Sequence, residues 1–239
     1  MKARLLLCIL TILAASQSSF AQAYGAAYQS FINTLQTNNV WKSISKGAST
    51  TGTKRSSGST GPTSTPPPSY REIVRNTAVT PEQVTRAVQF KSTRSRLALD
   101  EYVEALRADV GTKAEWKVRL TELLDRFDAL AAAKGYPNDI SFALAYNIVL
   151  NRAVYHETPI LADAQVSQMR DQLAIDLTRG EFLNNATDRE KQGIYEFSVM
   201  TSTMAYYCSE KAKSEKDMEE LKGCKMLAAQ NLKLLGLQP

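Results

Sequence analysis

The stretch Asp139-Ile140-Ser141-Phe142-Ala143-Leu144-Ala145-Tyr146-Asn147-Ile148-Val149-Leu150-Asn151-Arg152-Ala153-Val154-Tyr155 decides the fold of this 239-residue chain. Wound as a helix, residues 139–155 place Ile140, Phe142, Leu144, Tyr146, Ile148, Val149, Leu150 and Val154 around nearly the whole circumference. A helix that is apolar all round is enclosed by protein or by lipid. At about 16 residues this one is short for a membrane span, which takes about 20. The stretch therefore reads as the buried central helix of a bundle, with its alanines allowing neighbouring helices to approach closely.

Outward from it, the flanking sequence is helical wherever a period can be read. Trp116, Leu120, Leu123, Leu124, Phe127 and Leu130 form one stripe, and Val166, Met169, Leu173 and Leu177 a second. Ile194, Phe197, Met200 and Met204 form a third, and Leu221, Cys224, Ala228, Leu232 and Leu235 a fourth. Spacings of three and four residues bring each set onto one helical face. Thr80-Pro81-Glu82-Gln83, Thr112-Lys113-Ala114-Glu115 and Thr187-Asp188-Arg189-Glu190 carry capping-box signatures, in which the threonine hydroxyl and the Gln or Glu side chain three residues on satisfy each other's backbone donors. Asn138, Asp163 and Ser214 are further expected caps, and Gly135, Gly180 and Gly236 expected stops. No alternating strand pattern and no fixed-period repeat accompanies them. The reading is an all-α fold, a single bundle of about six or seven helices over 70–239.

The N-terminal third has a different character. Residues 1–23 begin with Lys2 and Arg4, continue as an apolar run from Leu5 to Ala15, and end in small residues around Ala21 and Ala23. That is the layout of a secretory signal peptide, so the chain is expected to be exported, to a periplasmic or secreted location, with no integral membrane span in the mature chain. Residues 24–45 carry Tyr24, Tyr28, Phe31, Ile32 and Leu35 at helical spacing and read as a short helical segment that packs on the main domain or on a partner. Residues 46–69 are Ser, Thr, Gly and Pro with almost no apolar side chains, a composition that cannot offset its own ordering entropy and reads as a disordered linker. No Asp or Glu precedes Glu72, so the pI near 9.0 arises outside the helical domain, whose charge is balanced. A nucleic-acid binder concentrates basic charge on the folded domain itself, and that class is set aside.

Few residues can carry chemistry. With Cys8 inside the leader, Cys208 and Cys224 remain, and in an exported chain they are expected to form a disulfide. A turn near residues 214–217 would make an antiparallel hairpin and bring the two together. His156 is the one histidine, which excludes histidine-cluster metal sites, and no motif implies a cofactor or a metal. Glu157, just after the central helix, and Glu196, within Tyr195-Glu196-Phe197, are the candidates for a catalytic acid, because burial raises a carboxyl pKa. Asn147 and Asn151 lie four apart on the central helix, where buried amides need partners. They form either an internal network with residues such as Gln192 and Tyr195 or the lining of a small polar pocket. Tyr206 and Tyr207, beside Cys208, are a candidate partner-binding edge.

Arg126-Phe127-Asp128-Ala129-Leu130, then Gly135-Tyr136-Pro137-Asn138-Asp139, the Ala- and Tyr-rich helix to Tyr155, and Gln192 to Glu196 together resemble a family of exported bacterial proteins known only as a domain of unknown function. The resemblance spans roughly residues 85–237. It implies a bacterial, exported, all-helical domain and carries over no catalytic residue, cofactor or substrate. The expected function is an exported binding or interaction protein of the bacterial envelope, whose partner is a protein or an envelope component. The alternatives are a cell-wall-active hydrolase using a buried Glu and a structural subunit of an envelope assembly.

Overall fold

Thr80 starts the folded chain with a complete capping box: its Oγ1 accepts the Gln83 N–H at 3.2 Å, and Gln83 Oε1 accepts the Thr80 N–H at 2.8 Å. The computed structural model describes residues 78–93, 95–104 and 109–239. The expected signal peptide 1–23, the expected helical segment 24–45 and the expected linker 46–69 lie outside the described residues. Eight helices follow in order: α1 Pro81–Val88, α2 Leu99–Glu104, α3 Val110–Ala133, α4 Ile140–His156, α5 Asp163–Arg179, α6 Glu181–Asn185, α7 Asp188–Glu215 and α8 Met218–Leu234. The described residues contain no strand, only an isolated bridge between Gln89 and Asp139. The two shortest helices, α2 and α6, are elements of six and five residues with no periodic stripe to announce them.

Several boundaries differ from the sequence reading, each for a local reason. The cap of α3 is Asp109, which accepts the Thr112 N–H at 2.9 Å, so Thr112 is inside the first turn. Asn138 does not cap α4; it takes the left-handed conformation at φ 54°, and Asp139 behind it accepts the Phe142 N–H at 2.9 Å. Asp163 is the first residue of α5 rather than its cap, which is Ala162. Ser214 lies in the last turn of α7; Lys216 turns the chain at φ 55°, and Asp217 caps α8 by accepting the Glu220 N–H at 3.0 Å. In all four places a carboxylate or an alanine beside the expected residue takes the role, a shift of two or three residues at most. Gly135 and Gly236, at φ 83° and 78°, end α3 and α8 where a side chain would be strained.

Helix α4 is central, packed against α5, α7 and α8. Thirteen of its 17 residues are buried, including Asn147 and Asn151. It shares the centre with α7, in which every residue from Lys191 to Ser202 is buried. That run contains Lys191, Gln192, Glu196, Ser198, Thr201 and Ser202, so an enclosed helix here carries as many polar as apolar positions. Phe127 of α3 ties the two together, its ring centroid 5.7 Å from Phe142, 5.4 Å from Tyr146 and 5.7 Å from Tyr195. A second, smaller apolar cluster of Val154, Ala205, Cys208, Ala212, Leu221, Cys224, Leu227 and Ala228 fills the space between the end of α4 and the α7–α8 hairpin. None of the described helices is long and apolar enough to cross a membrane.

A buried ion pair fixes the α3–α4 turn on α5. Arg170, 8% exposed in its side chain, reaches fully buried Asp139 through Nη2 and, at 3.1 Å, through Nε. Its guanidinium lies 4.6 Å from the Tyr136 ring centroid and also donates to Asp171 at 2.9 Å. Asp139 thus caps α4 and neutralises Arg170 at once.

Candidate functional site

Of the two candidate acids, Glu196 is the one that the fold buries completely. Its Oε1 accepts from Gln192 Nε2 at 2.8 Å and its Oε2 from the Ala98 backbone N–H at 2.8 Å. Gln192 continues the chain of contacts: its Nε2 donates to Ser95 O at 2.8 Å, and its Oε1 accepts the Thr93 N–H at 2.8 Å. Two side chains one turn apart on α7 therefore hold the segment that leads into α2. Arg96 in that segment pairs with Asp125 and, at 2.8 Å, with Asp128 of α3; Asp128 in turn accepts from Tyr195 OH at 2.7 Å. Burial pushes the Glu196 carboxyl above the ordinary glutamate range, against the pull of the Gln192 and Ala98 donors and the Arg96 charge. Burial and Asp128 likewise raise the Tyr195 phenol. With both oxygens bonded inside the protein, this carboxyl is a bridge between helices.

Asn147 and Asn151 belong to a different network. Asn147 Nδ2 donates to Ser198 O at 2.8 Å and to Thr201 Oγ1 at 3.0 Å. Asn151 Nδ2 donates to Asn147 O at 2.7 Å and Oδ1 at 3.0 Å, and its Oδ1 accepts from Asn231 Nδ2 at 2.9 Å. The amides join α4, α7 and α8. Sequence spacing put Asn147 and Asn151 on one face, as observed, but their cross-helix partners are Ser198, Thr201 and Asn231 rather than Gln192 and Tyr195.

The remaining candidates are peripheral. Glu157 is exposed in the left-handed cap of α4 and paired with Lys225, whose charge holds its carboxyl below the usual range. His156 is exposed in the last turn of α4, its ring edge-on to Tyr155. Tyr207 is exposed and Tyr206 half-buried; the helix continues past both to Glu215. Cys208 and Cys224 are joined across the α7–α8 hairpin with Cα atoms 5.7 Å apart, within the span a disulfide requires. Among the described residues no group of three or more His, Cys, Asp and Glu is placed to hold a metal.

One concave feature was not singled out by the sequence. An open cleft of about 590 Å³ lies where α1 meets α6 and the start of α7. Its walls include Arg86, Gln89, Lys91, Asn184, Asp188 and Lys191, with Phe90 as an apolar patch. Lys191 is 4% exposed and donates to Arg86 O, in the last turn of α1, at 2.6 Å. Burial lowers its ammonium pKa, Asp188 opposes that shift, and the Arg86 charge adds to it. The three cations come from two segments about 100 residues apart, so no local motif announces them. The one available signal is Lys191 itself, a cation three and five residues before the buried Ile194 and Glu196 on the same helix.

These features define an all-helical domain with two buried helices at its centre, a disulfide-linked C-terminal hairpin and an open basic cleft beside α1. The chain belongs to the family described as "Family of unknown function (DUF6683)", whose sequence model matches residues 1–239. The match agrees with the expected resemblance to a family of unknown function and extends it from residues 85–237 to the whole chain. No curated protein matches the chain, and no solved structure does.

Proposed function

We propose that this chain is an exported, non-enzymatic binding protein of the bacterial envelope. The observation that carries the reading is the state of Glu196: fully buried, with Gln192 and Ala98 on its two oxygens. A general acid must lie within hydrogen-bond reach of the bond it protonates. Glu157, the other candidate, is exposed and paired with Lys225, far from the raised-pKa environment such an acid needs. Export is supported by the leader-like residues 1–23 and by the Cys208–Cys224 pair, which suits an oxidising compartment.

The test is a co-sedimentation of the mature chain with purified bacterial cell-wall sacculi and, separately, with envelope membrane vesicles. The expected result is saturable pelleting with one of the two and no release of soluble sugar or peptide. Release of soluble fragments that Glu196→Gln abolishes, with the circular-dichroism spectrum and melting temperature retained, would replace this reading with the hydrolase.

A further inference from the structure

We propose that the cleft between α1 and the start of α7 is a binding site for a phosphate group. The inference rests on the binding-protein reading above and gives it a ligand class. Residues 78–239 hold 23 Asp and Glu against 21 Lys and Arg, so the domain as a whole is slightly acidic. The cleft reverses that balance, with Arg86, Lys91 and Lys191 against Asp188 alone. Outside the cleft, ten of the described cations pair with a carboxylate, among them Arg96, Lys113, Lys117, Lys134, Arg170 and Lys225. Among the described residues none of the three cleft cations is in an ion pair.

Lys191 is the fixed member. Its stem is enclosed by α7's neighbours, and its ammonium is pinned on Arg86 O at 2.6 Å, which leaves two of its three donors for a ligand. The ordering of that side chain is already accomplished before anything binds. Arg86 and Lys91 are exposed at the rim and supply a planar fork and a mobile point charge, the combination suited to several oxygens of one tetrahedral anion. The Gln89 amide adds a neutral donor to the same wall. A carboxylate ligand would satisfy only part of this set, whereas a phosphate presents three or four oxygens. The cleft opens broadly to solvent, so the phosphate can belong to a larger molecule whose remainder stays outside. Asp188 opposes the anion, and its presence sets the affinity in a modest range.

The test uses the full mature chain with inorganic phosphate as probe, followed by amide chemical shifts and calorimetry at low salt, and a parallel flotation with phosphatidylcholine vesicles with and without phosphatidic acid. Saturable shifts centred on residues 86–91 and 188–191 are expected. The double substitution Arg86→Gln, Lys91→Gln, at exposed positions that leave the core untouched, should weaken binding at least tenfold through loss of two charge-assisted contacts. Asp188→Asn should tighten it about threefold, through loss of a like charge on a partly exposed wall. Binding of free phosphate without vesicle flotation identifies a soluble phosphate ligand, and flotation with phosphatidic acid identifies a lipid phosphate; either supports the site. Absence of saturable shifts with phosphate and of flotation overturns it, as does binding that survives the double substitution. Sedimentation with sacculi or vesicles that persists in the double variant would leave the binding-protein reading in place and remove this site from it.

Discussion

The Glu196 carboxylate accepts the Ala98 N–H at 2.8 Å, so a fully buried acid on α7 holds the entry to α2, 98 residues earlier in the chain. The same carboxylate is held by Gln192 at 2.8 Å. A group in this position is costly to ionise and costly to delete. Glu196→Ala should lower the unfolding free energy by about 2–4 kcal/mol, because it strands the Gln192 and Ala98 donors in the core. The readout is the urea midpoint at constant m.

The pH dependence has a definite sign. Burial raises the Glu196 pKa in the folded chain above its unfolded value, so between the two values the folded state holds a proton the unfolded state has lost. This group's contribution is therefore complete below the ordinary glutamate value of about 4.3 and is lost as pH rises through the raised value. Glu196→Gln lacks that proton linkage. The stability of the wild type relative to Glu196→Gln should fall from pH 4.5 towards pH 7, as measured by urea unfolding at a series of pH values. A difference that is flat across the range, or that grows with pH, contradicts a raised pKa.

Asp139 and Arg170 form the buried pair on which the α3–α4 turn rests, with side chains 0% and 8% exposed. Removing Asp139 leaves the buried Arg170 charge with Asp171 as its acidic neighbour and without its fully buried partner. Asp139→Ala should cost about 3–5 kcal/mol, because it also removes the cap bond to the Phe142 N–H. Arg170→Met together with Asp139→Asn, which preserves a capping oxygen and removes both charges, should recover much of that loss. Thermal and urea unfolding of the two variants and the wild type decide the matter; a double variant no better than Asp139→Ala would show that the pair acts through more than its charges.

How far these features were legible depends on whether a residue declares its environment by its type. Helix α4 did, because an all-round apolar surface has one explanation at its length, and the hairpin did, because Cys208 and Cys224 flank the turn at Lys216 symmetrically. Helix α7 did not. Its buried run from Lys191 to Ser202 alternates Gln192, Glu196, Ser198 and Thr201 with apolar residues, so it reads as an amphipathic surface helix. Those polar residues are buried because their partners, Thr93, Ser95, Ala98 and Asn147, arrive from segments 50 to 100 residues away. Long-range satisfaction of this kind leaves no trace in local period. The same reason concealed the cleft, whose cations look like ordinary solvated charges until α1 is laid across the start of α7.

The Cys208–Cys224 bridge closes a loop of 16 residues around the α7–α8 turn. On the loop-entropy model it stabilises the fold by about 3 kcal/mol. Both cysteines sit in the smaller apolar cluster, where Val154 and Tyr155 of α4 are contacts from outside the hairpin. Cys208→Ala with Cys224→Ala should therefore lower the unfolding free energy by about that amount, and hydrogen exchange should quicken first at residues 205–228. Thiol labelling of unfolded, non-reduced wild type should leave Cys208 and Cys224 unmodified; labelling of both would show the pair unformed.

The three asparagines between α4, α7 and α8 are not equivalent. Asn151 is the hub, donating twice to Asn147 and accepting from Asn231 at 2.9 Å. Asn231 donates to Asn151 and to Thr201 O at 3.2 Å, while its own Oδ1 is buried without a hydrogen-bond partner. Replacing Asn231 by Leu thus removes one unsatisfied acceptor together with two donated bonds. Replacing Asn151 by Leu strands an Asn231 donor and an Asn147 acceptor and leaves the Asn231 acceptor still unmet. Asn151→Leu should cost about 2–3 kcal/mol and Asn231→Leu about 1 kcal/mol less, since an unmet buried polar group costs more than the net worth of a bond. The double variant should cost less than the sum of the two, with a coupling of about 0.5–3 kcal/mol expected for residues in one network. Equal single costs or strict additivity, measured by urea unfolding, would mean that water reaches this seam and that its amides are not held by one another.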